Sequence, residues 1–390
     1  RRSRPARRFA TNTCVVAGHV HLMRVVHVMT RTNIGGPSVM LVDLLNGLDG
    51  TTFEQVVIRG EPKDEEGDYF AESRTQARVI TLGGLRRQIG LVGELRSLIN
   101  LVRLLRQLRP DIVHTHMAKA GVLGRFAALL ARVPIRVHTY HGHLLHGYFS
   151  PRVSRLVTRV ERVLSRITHW HFVVGAHTRD DLLREGVVQN ENSSVILPAA
   201  PTVTPLNRHD ARVQLGLPVD ATVVGFVGRL TSVKRPDRFL ALAAEHPAAQ
   251  FVIFGDGPLR ETVSRLAARL PNVRLLGWQQ NLSLIHGALD IIVLTSDNEG
   301  IPLSLLEAAS GGVAILAMDI GGIREIITDG VTGTLAHDDE QLVQRLTNLL
   351  SDVPYRRSMA SAARADVLAR FSAEAYVRAH AETYQNLARN

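Results

Sequence analysis

The most informative stretch of the 390-residue sequence holds two glutamates eight positions apart, Glu299 and Glu307. Between them, the turn Gly300-Ile301-Pro302-Leu303 follows an apolar run that predicts a strand. Proline fits the first turn of a helix, and the free N–H groups of such a turn can bind a phosphate. We expect Glu299 to reach sugar hydroxyls and Glu307, further along the helix, to reach a ribose. An ordinary helix start, with acidic residues that complement the dipole, is the alternative.

Two cations follow a second apolar run, which predicts a strand at Thr222–Gly228. Arg229 comes directly after this run, and Lys234 lies five residues later, just before a predicted helix. Two positive charges at a strand end are suited to stabilise a diphosphate as it departs. For either residue taken singly, a solvated loop is the alternative.

A pair of glycines, Gly35 and Gly36, separates the first predicted strand from the first predicted helix. Glycines allow a backbone to approach a ligand closely. Because the two are adjacent, they do not form the G-x-G-x-x-G pattern of dinucleotide sites, and Gly255-Asp256-Gly257 also falls short of it. We therefore predict no nicotinamide or other cofactor.

Histidines cluster where two predicted strands end. The stretch from His138 to His143 ends one of them, and His116 ends the strand before it, with Lys119 close by. A neutral histidine here can hydrogen-bond a sugar or assist the departure of a phosphate, and we assign this role to His141. Acceptor contacts are assigned to His116, Lys119 and His143. The stretch has no acidic residue and no zinc-site spacing, so we predict no metal.

The elements that must position these residues alternate short β-branched runs with helices, as in α/β proteins. Seven strands are predicted in the first half and five in the second, with a helix at Ile323–Thr328. We predict two tandem Rossmann-like, doubly wound domains that face a cleft. The predicted divisions are a flexible basic extension (1–22), an N-terminal domain (23–198), a linker (199–210), a C-terminal domain (211–372) and a final helix (373–390) that packs back on the N-terminal domain.

These segments together resemble the family-4 retaining glycosyltransferases with the GT-B fold, from about Met23 to the end of the chain. Glu299 to Glu307 is the most specific part, since it looks like the E-x7-E motif of that family. Further matches are Gly321 to Glu325 and the turn Asp329 to Gly333. Leu197 to Pro201 departs from the apolar-Gly-x-Asp turn of many members. The histidine-rich stretch resembles a bacterial subgroup that makes surface polysaccharides or glycosylated metabolites.

The resemblance implies a nucleotide diphosphate sugar, UDP- or GDP-linked, in the C-terminal domain and a hydroxyl acceptor in the N-terminal domain. The acceptor classes are a glycan, a lipid-linked molecule and a small molecule. The implied catalytic residues are His141, Glu299, Arg229 and Lys234. The implied donor-binding residues are Gly35, Gly36, Arg229, Lys234, Glu299, Gly300, Ile301, Pro302, Leu303 and Glu307. A sugar-nucleotide epimerase of the same architecture is the alternative, and epimerised donor without acceptor would reveal it.

The positive charge is concentrated in the first half. Residues 1–198 hold 28 basic and 16 acidic residues, a net of +12, whereas the remainder has a net of −2. One predicted helix, Pro151–Arg166, carries its arginines on a single face: Arg152, Arg155, Arg159, Arg162 and Arg166. A basic amphipathic helix can lie on an anionic membrane, although an ordinary solvated arginine face is the alternative.

Nucleic acid is disfavoured as a partner, because aromatic residues make up only 5% of the chain and no nucleic-acid module is recognisable. The single cysteine, Cys14, excludes an intramolecular disulfide framework. No apolar run is long enough to span a membrane. We expect a cytoplasmic enzyme, peripheral on the inner face of the membrane, and the sequence does not name its sugar or acceptor.

Overall fold

In the computed structural model, residues 22–33, 35–61, 68–73, 75, 77–85, 91–142 and 151–389 are described. They form two parallel sheets, one in each half of the chain, with helices on both faces. The predicted basic extension, Cys14 and His143 lie outside the described residues. Within the described residues, no helix is both long and apolar enough to cross a bilayer.

The N-terminal sheet has seven strands in the order β3-β2-β1-β4-β5-β6-β7, all parallel. Its strands are β1 (Met23–Met29), β2 (Phe53–Arg59), β3 (Arg78–Thr81), β4 (Ile112–His116), β5 (Ile135–Tyr140), β6 (Trp170–Val173) and β7 (Ser193–Val195). The connecting helices are α1 (Gly36–Gly47), α2 (Tyr69–Glu72), α3 (Leu91–Leu108), α4 (Ala118–Leu130), α5 (Pro151–Ser165) and α6 (Ala176–Arg184).

The C-terminal sheet has six parallel strands in the order β10-β9-β8-β11-β12-β13. Its strands are β8 (Val223–Val227), β9 (Gln250–Phe254), β10 (Val273–Gly277), β11 (Ile291–Leu294), β12 (Ala314–Met318) and β13 (Thr334–Ala336). The helices are α7 (Arg208–Leu215), α8 (Pro236–Glu245), α9 (Arg260–Ala267), α10 (Leu282–Ala288), α11 (Leu303–Ser310), α12 (Asp339–Ser351), α13 (Val353–Arg370) and α14 (Ala373–Arg389).

Both faces of the N-terminal sheet are covered, so β1 buries apolar side chains on both of its faces. On one face, Val26 and Val28 of β1 pack with α3 and α4. On the other face, Val25 and Met29 pack with α1 and with Tyr384 of α14. The final helix therefore belongs to the core of the N-terminal half, although it follows the C-terminal half in the sequence.

The predicted fold class, two doubly wound α/β domains, is confirmed, and three local expectations are corrected. β13 was not predicted, because three residues at a sheet edge are too few to show a strand pattern. The predicted helix at Ile323–Thr328 is a single 3₁₀ turn, Ile323–Glu325. α7 begins at Arg208, inside the stretch predicted as linker.

Candidate active site between the two domains

The strand order decides where a ligand can bind. In each sheet, the first strands along the chain are added on one side and the later strands on the other. The strand order therefore reverses between β1 and β4 in the N-terminal sheet and between β8 and β11 in the C-terminal sheet. In doubly wound sheets, ligands bind at this switch point, beyond the carboxyl ends of the strands. Arg229 follows β8 and Glu299 lies in the turn after β11, so they flank the C-terminal switch point. Gly35 and Gly36 follow β1 at the N-terminal one.

The Glu299 carboxylate is held by two neighbours on the same oxygen. Nζ of Lys234 lies 2.5 Å from its Oε1, and the Ser296 hydroxyl donates to that atom at 2.6 Å. The hydroxyl of Thr295 donates to the carbonyl oxygen of Lys234 at 2.8 Å, which joins the loop after β8 to the loop after β11. The structure thus brings the predicted sugar-positioning carboxylate and a predicted diphosphate-binding cation into one ion pair.

Glycines allow three backbone segments to meet at Glu299-Gly300. A Cβ atom at Gly321 would lie 2.0 Å from the carbonyl oxygen of Glu299, and one at Gly322 would lie 2.5 Å from that of Gly300. A Cβ atom at Gly300 itself would lie 3.1 Å from Cα of Gly142, in the opposite domain. Side chains at these positions would therefore force the segments apart.

His141 lies on the N-terminal side of this meeting point. Its carbonyl oxygen would be 3.4 Å from a Cβ atom at Gly300, so His141 and Glu299 occupy facing segments. Nε2 of His141 is 3.1 Å from Nδ1 of His116, whereas its buried Nδ1 has no hydrogen-bond partner among the described residues. Burial lowers the pKa of His141 to about 3, so the ring is neutral at physiological pH.

The helix that carries Glu307 begins one residue later than its proline. Pro302 is the N-cap and α11 starts at Leu303, so the first-turn N–H groups begin after Pro302. Ile301 and Pro302 are buried. Desolvation by burial raises the pKa of Glu307 to about 7.

The glycine pair and Arg229 complete the predicted donor site. A Cβ atom at Gly36 would lie 3.7 Å from Cδ1 of Leu303, at ordinary contact distance, so the start of α1 faces the start of α11. Gly35 is the residue before α1 and has extended backbone angles. Arg229 is partly buried in the loop after β8. Nine of the ten predicted donor residues therefore lie in the loops or helix starts beyond β1, β8 and β11, and Glu307 lies in the second turn of α11.

The predicted acceptor residues fall in different environments. His116 is buried, and its two ring nitrogens bond to His27 and His141, so it lies behind His141 and offers no free nitrogen to an acceptor. Nζ of Lys119 is 2.5 Å from Oε1 of Glu94 on α3. The assignment of an acceptor contact to Lys119 stays a prediction.

Three residues that the sequence analysis did not select have clear places here. Ser296 shares an oxygen of Glu299 with Lys234, and His27 continues the line of rings behind His116. Glu325 crosses between the domains, since its carboxylate accepts hydrogen bonds from the N–H groups of Ala176 and His177 at 2.6 and 2.9 Å. Glu325 ends the Gly321–Glu325 match, which was the available signal, whereas nothing local in the sequence marks His27.

Three of these histidines satisfy the distance requirement for a metal site. Nitrogens of His27, His114 and His116 lie within 4.8 Å of one another. However, His114 bonds to Tyr384 and Thr139, and His116 bonds to two other rings, so both of their nitrogens are engaged. Because a metal ligand must offer a free lone pair, hydrogen bonding explains this cluster better than metal binding does.

Two family models match the chain, one in each half. Residues 35–199 match the model "Glycosyl transferase 4-like domain", and residues 207–366 match "Glycosyl transferases group 1". A relative from Escherichia coli, UDP-Gal:alpha-D-GlcNAc-diphosphoundecaprenol alpha-1,3-galactosyltransferase, is 31% identical over 353 residues, which is 83% of this chain and 89% of the relative. A D-inositol 3-phosphate glycosyltransferase from Mycolicibacterium paratuberculosis is 31% identical over 65% of this chain and 62% of its own length.

Among solved structures, Anabaena HepE in complex with UDP and glucose superposes with a TM-score of 0.79 at 21% identity. The match covers 93% of this chain and 100% of that one. Sucrose-phosphate synthase from Thermosynechococcus elongatus gives the same TM-score at 20% identity, over 94% and 99% of the two chains. At such identities the likeness shows the fold, which is that of the GT-B glycosyltransferases. The chain belongs to the family-4 glycosyltransferases with this fold.

Proposed function

We propose that this glycosyltransferase moves a hexosyl unit, with retention of configuration, from a UDP-linked donor to a hydroxyl of a lipid-linked acceptor. The observation that carries the proposal is the meeting of Glu299 and Gly300 with His141 across the domain interface. A sugar between these segments would have a carboxylate on one side and a neutral imidazole on the other. Family membership supports retention, and the UDP-galactose donor of the E. coli relative and the UDP bound to HepE support the uridine nucleotide.

Each predicted residue has a defined task in this mechanism. Arg229 and Lys234 stabilise the negative charge that develops on the departing diphosphate, and the first turn of α11 adds its N–H groups. Glu299 positions the transferred sugar, and Glu307 accepts hydrogen bonds from the ribose hydroxyls. The neutral His141 hydrogen-bonds the sugar from the N-terminal domain. Because Arg229 and Lys234 supply the positive charge, the proposed mechanism does not require a metal ion.

A thermal-shift screen tests the donor. We expect a UDP-hexose to raise the melting temperature of the wild-type protein, because a ligand that binds only the folded state stabilises it. Glu307→Ala should lose most of this shift, whereas Glu340→Ala, on the exposed first turn of α12, should keep it. A GDP-hexose that raises the melting temperature more than every UDP-hexose would contradict the nucleotide assignment.

The stereochemistry is tested separately. NMR of the anomeric configuration of the product decides between retention and inversion.

The acceptor side of the proposal rests on the outer surface of α5. Thr158, Glu161 and Leu164 face inward, and Glu161 forms a buried ion pair with Arg125 at 2.8 Å. The opposite face alternates exposed arginines with exposed apolar side chains: Arg152, Val153, Arg155, Leu156, Arg159, Val160, Arg162 and Val163, with Arg166 just beyond the helix. Leu156 is 58% exposed and Val163 is 50% exposed. The outer face of a helix that meets only water is usually polar, so this much exposed apolar surface indicates contact with another surface.

The neighbouring helices extend this surface. Leu95 and Ile99 of α3 and Leu129 and Leu130 of α4 are also exposed, and these helices cover the same face of the sheet as α5. Arginines beside uncovered leucine and valine side chains are the combination that binds an anionic bilayer, since the charges meet headgroups and the apolar groups enter the interface. We therefore propose that this face rests on an anionic membrane, where a lipid-linked acceptor would be found.

Liposome co-sedimentation tests the membrane surface. Replacing Arg155, Arg159 and Arg162 by Gln should weaken binding to anionic vesicles by about 100-fold, at about 1 kcal/mol for each charge. The matched control replaces Arg260, Arg265 and Arg269, which lie on or directly after α9, and removes the same charge. Vesicles of neutral lipid should bind neither protein strongly. Equal loss of binding in both triple variants would show that net charge alone, not the α5 face, is responsible.

A further inference from the structure

Three histidine rings form a continuous hydrogen-bonded line from the core of the N-terminal domain to the candidate active site. Nδ1 of His27, on β1, is 3.2 Å from Nε2 of His116, at the end of β4. Nδ1 of His116 is in turn 3.1 Å from Nε2 of His141, just after β5. The two end nitrogens, Nε2 of His27 and Nδ1 of His141, are buried and have no partner among the described residues.

Burial keeps this line neutral. Desolvation lowers the pKa of His27 and of His141 to about 3, and it lowers the pKa of His116 well below its ordinary value. A neutral imidazole carries one proton, and an N–H···N bond needs one protonated nitrogen and one bare nitrogen. The tautomer of each ring therefore determines the tautomer of the ring that is hydrogen-bonded to it.

The connectivity makes this constraint strict, because both links join Nδ1 of one ring to Nε2 of the next. If His27 carries its proton on Nδ1, then His116 must accept at Nε2 and carry its own proton on Nδ1. His141 must then do the same. If the line runs in the opposite sense, all three protons are on Nε2. The three rings must therefore share one tautomer.

We propose that His27 and His116 are positioning residues that fix the tautomer of His141, so that its Nδ1 presents a single hydrogen-bonding character to the transferred sugar. This inference rests on the proposed function, which places His141 at that sugar. The backbone of His141 abuts Gly300 at the domain interface, and its Nδ1 is one of the two end nitrogens without a partner among the described residues. A mixture of tautomers would offer a donor in some molecules and an acceptor in others, and only one of the two suits a given hydroxyl geometry.

The surrounding structure holds the rings in place. His114 lies against the line, with its ring centroid 4.2 Å from that of His116. Nδ1 of His114 is 2.5 Å from the hydroxyl of Tyr384 on α14, and its Nε2 is 2.7 Å from the hydroxyl of Thr139. Because both nitrogens of His114 are engaged elsewhere, it buttresses His116 without entering the line.

NMR of protein labelled with ¹⁵N-histidine tests the tautomers directly, because long-range ¹H–¹⁵N correlations distinguish Nδ1–H from Nε2–H rings. In the unliganded wild-type protein at pH 7, we expect His27, His116 and His141 to show the same single tautomer. Two different tautomers among these rings, or a mixture at His141, would overturn the proposal.

The variant that tests the coupling is His116→Asn. An asparagine amide near the Nδ1 position can either donate to or accept from His141, so the contact survives while the link to His27 is lost. We expect His141 to become a mixture of tautomers and kcat to fall by roughly 10- to 100-fold, with the KM for donor little changed. His171→Asn is the matched control, since His171 is also a buried strand histidine with one bonded nitrogen, outside the line. A pure His141 tautomer in His116→Asn would overturn the proposal.

The same spectra separate a failure of the line from a failure of the proposed function. Adding the UDP-hexose that stabilises the protein should shift the Nδ1 resonance of His141. Matched tautomers without this shift would leave the hydrogen-bonded line in place but would overturn the contact of His141 with the sugar. A shift of that resonance together with unmatched tautomers would overturn the line alone.

Discussion

At the scale of single residues, Glu307 combines a predicted binding role with an unusual acidity. Burial raises its pKa to about 7, so about half of the unliganded molecules carry a protonated Glu307 at neutral pH. Two ribose hydroxyls can both donate to an ionised carboxylate, and donor binding would therefore favour loss of the proton. The affinity for donor should then rise with pH.

We expect a UDP-hexose to bind about tenfold more weakly at pH 6 than at pH 8, because only about one molecule in ten is ionised at Glu307 one pH unit below its pKa. The diphosphate of a UDP-hexose loses no proton in this range, so calorimetry of binding reports the protein. Glu307→Gln should bind with nearly constant affinity over the same range. A wild-type affinity that does not change with pH would contradict the ribose assignment.

The sequence predicts those site residues that belong to a local motif, but it does not predict which of them contact each other. Glu299, Lys234 and Gly36 follow strands in recognisable turns, and the structure places all three beyond the predicted strands. That Lys234 pairs with Glu299 could not be predicted, because these residues are 65 positions apart and their contact depends on the order of β8 and β11. His27 was missed because a histidine inside a hydrophobic strand has no local signature.

At the scale of elements, the Glu325 carboxylate, in the C-terminal domain, accepts hydrogen bonds from the first N–H groups of α6 in the N-terminal domain. It bonds the N–H groups of Ala176 and His177, which begin α6, and Gly175 before them has φ of +98°. A Cβ atom at Gly175 would lie 2.8 Å from Oε1 of Glu325. The negative charge at this helix start is favourable both through hydrogen bonds and through the helix dipole.

Glu325→Ala should therefore weaken the contact between the domains by about 1–2 kcal/mol, a modest value because the contact is partly exposed. We expect a larger radius of gyration by small-angle X-ray scattering and a higher KM for donor. Glu340→Ala, at the start of α12 within one domain, is the control and should change neither measurement. An unchanged radius of gyration and KM in Glu325→Ala would show that other contacts hold the domains together.

Elements were predicted well where patterns were long and poorly where they were short. The 18 residues of α3, Leu91–Leu108, match the predicted helix because their apolar spacing is sustained over five turns. β13 has three residues, and its place at the sheet edge is decided by pairing with β12, which no local pattern encodes. The sequence predicts Pro302 as the first residue of α11, whereas in the structure it is the N-cap and the helix begins at Leu303. Proline suits both positions, so the sequence does not distinguish them.

At the scale of the whole molecule, the last helix ties the end of the chain to the N-terminal domain. The hydroxyl of Tyr376 donates to the carbonyl oxygen of Met40 at 3.1 Å, and Tyr384 bonds His114. α14 also packs closely against the end of α1, where a Cβ atom at Gly47 would lie 2.3 Å from Cγ2 of Val377. Gly47 is therefore required for this contact because of its size.

Gly47→Ala should lower the free energy of unfolding by about 1–3 kcal/mol, because the added methyl group overlaps Val377. Val377→Ala should remove the overlap, so the double variant should be more stable than the sum of the two single effects implies. Chemical denaturation of the four proteins measures this coupling. Additive effects would mean that the cost of Gly47→Ala does not come from overlap with Val377.

The return of α14 means that the chain passes between the domains twice, and the two passages touch. The first runs through Ala200 and the second through Phe371, and the N–H of Ala200 donates to the carbonyl oxygen of Phe371 at 2.9 Å. Two connections joined at one place act as a pivot. We expect any opening of the domains to be a swing about this point, in which the far edge of the cleft, and not the pivot, travels the greatest distance.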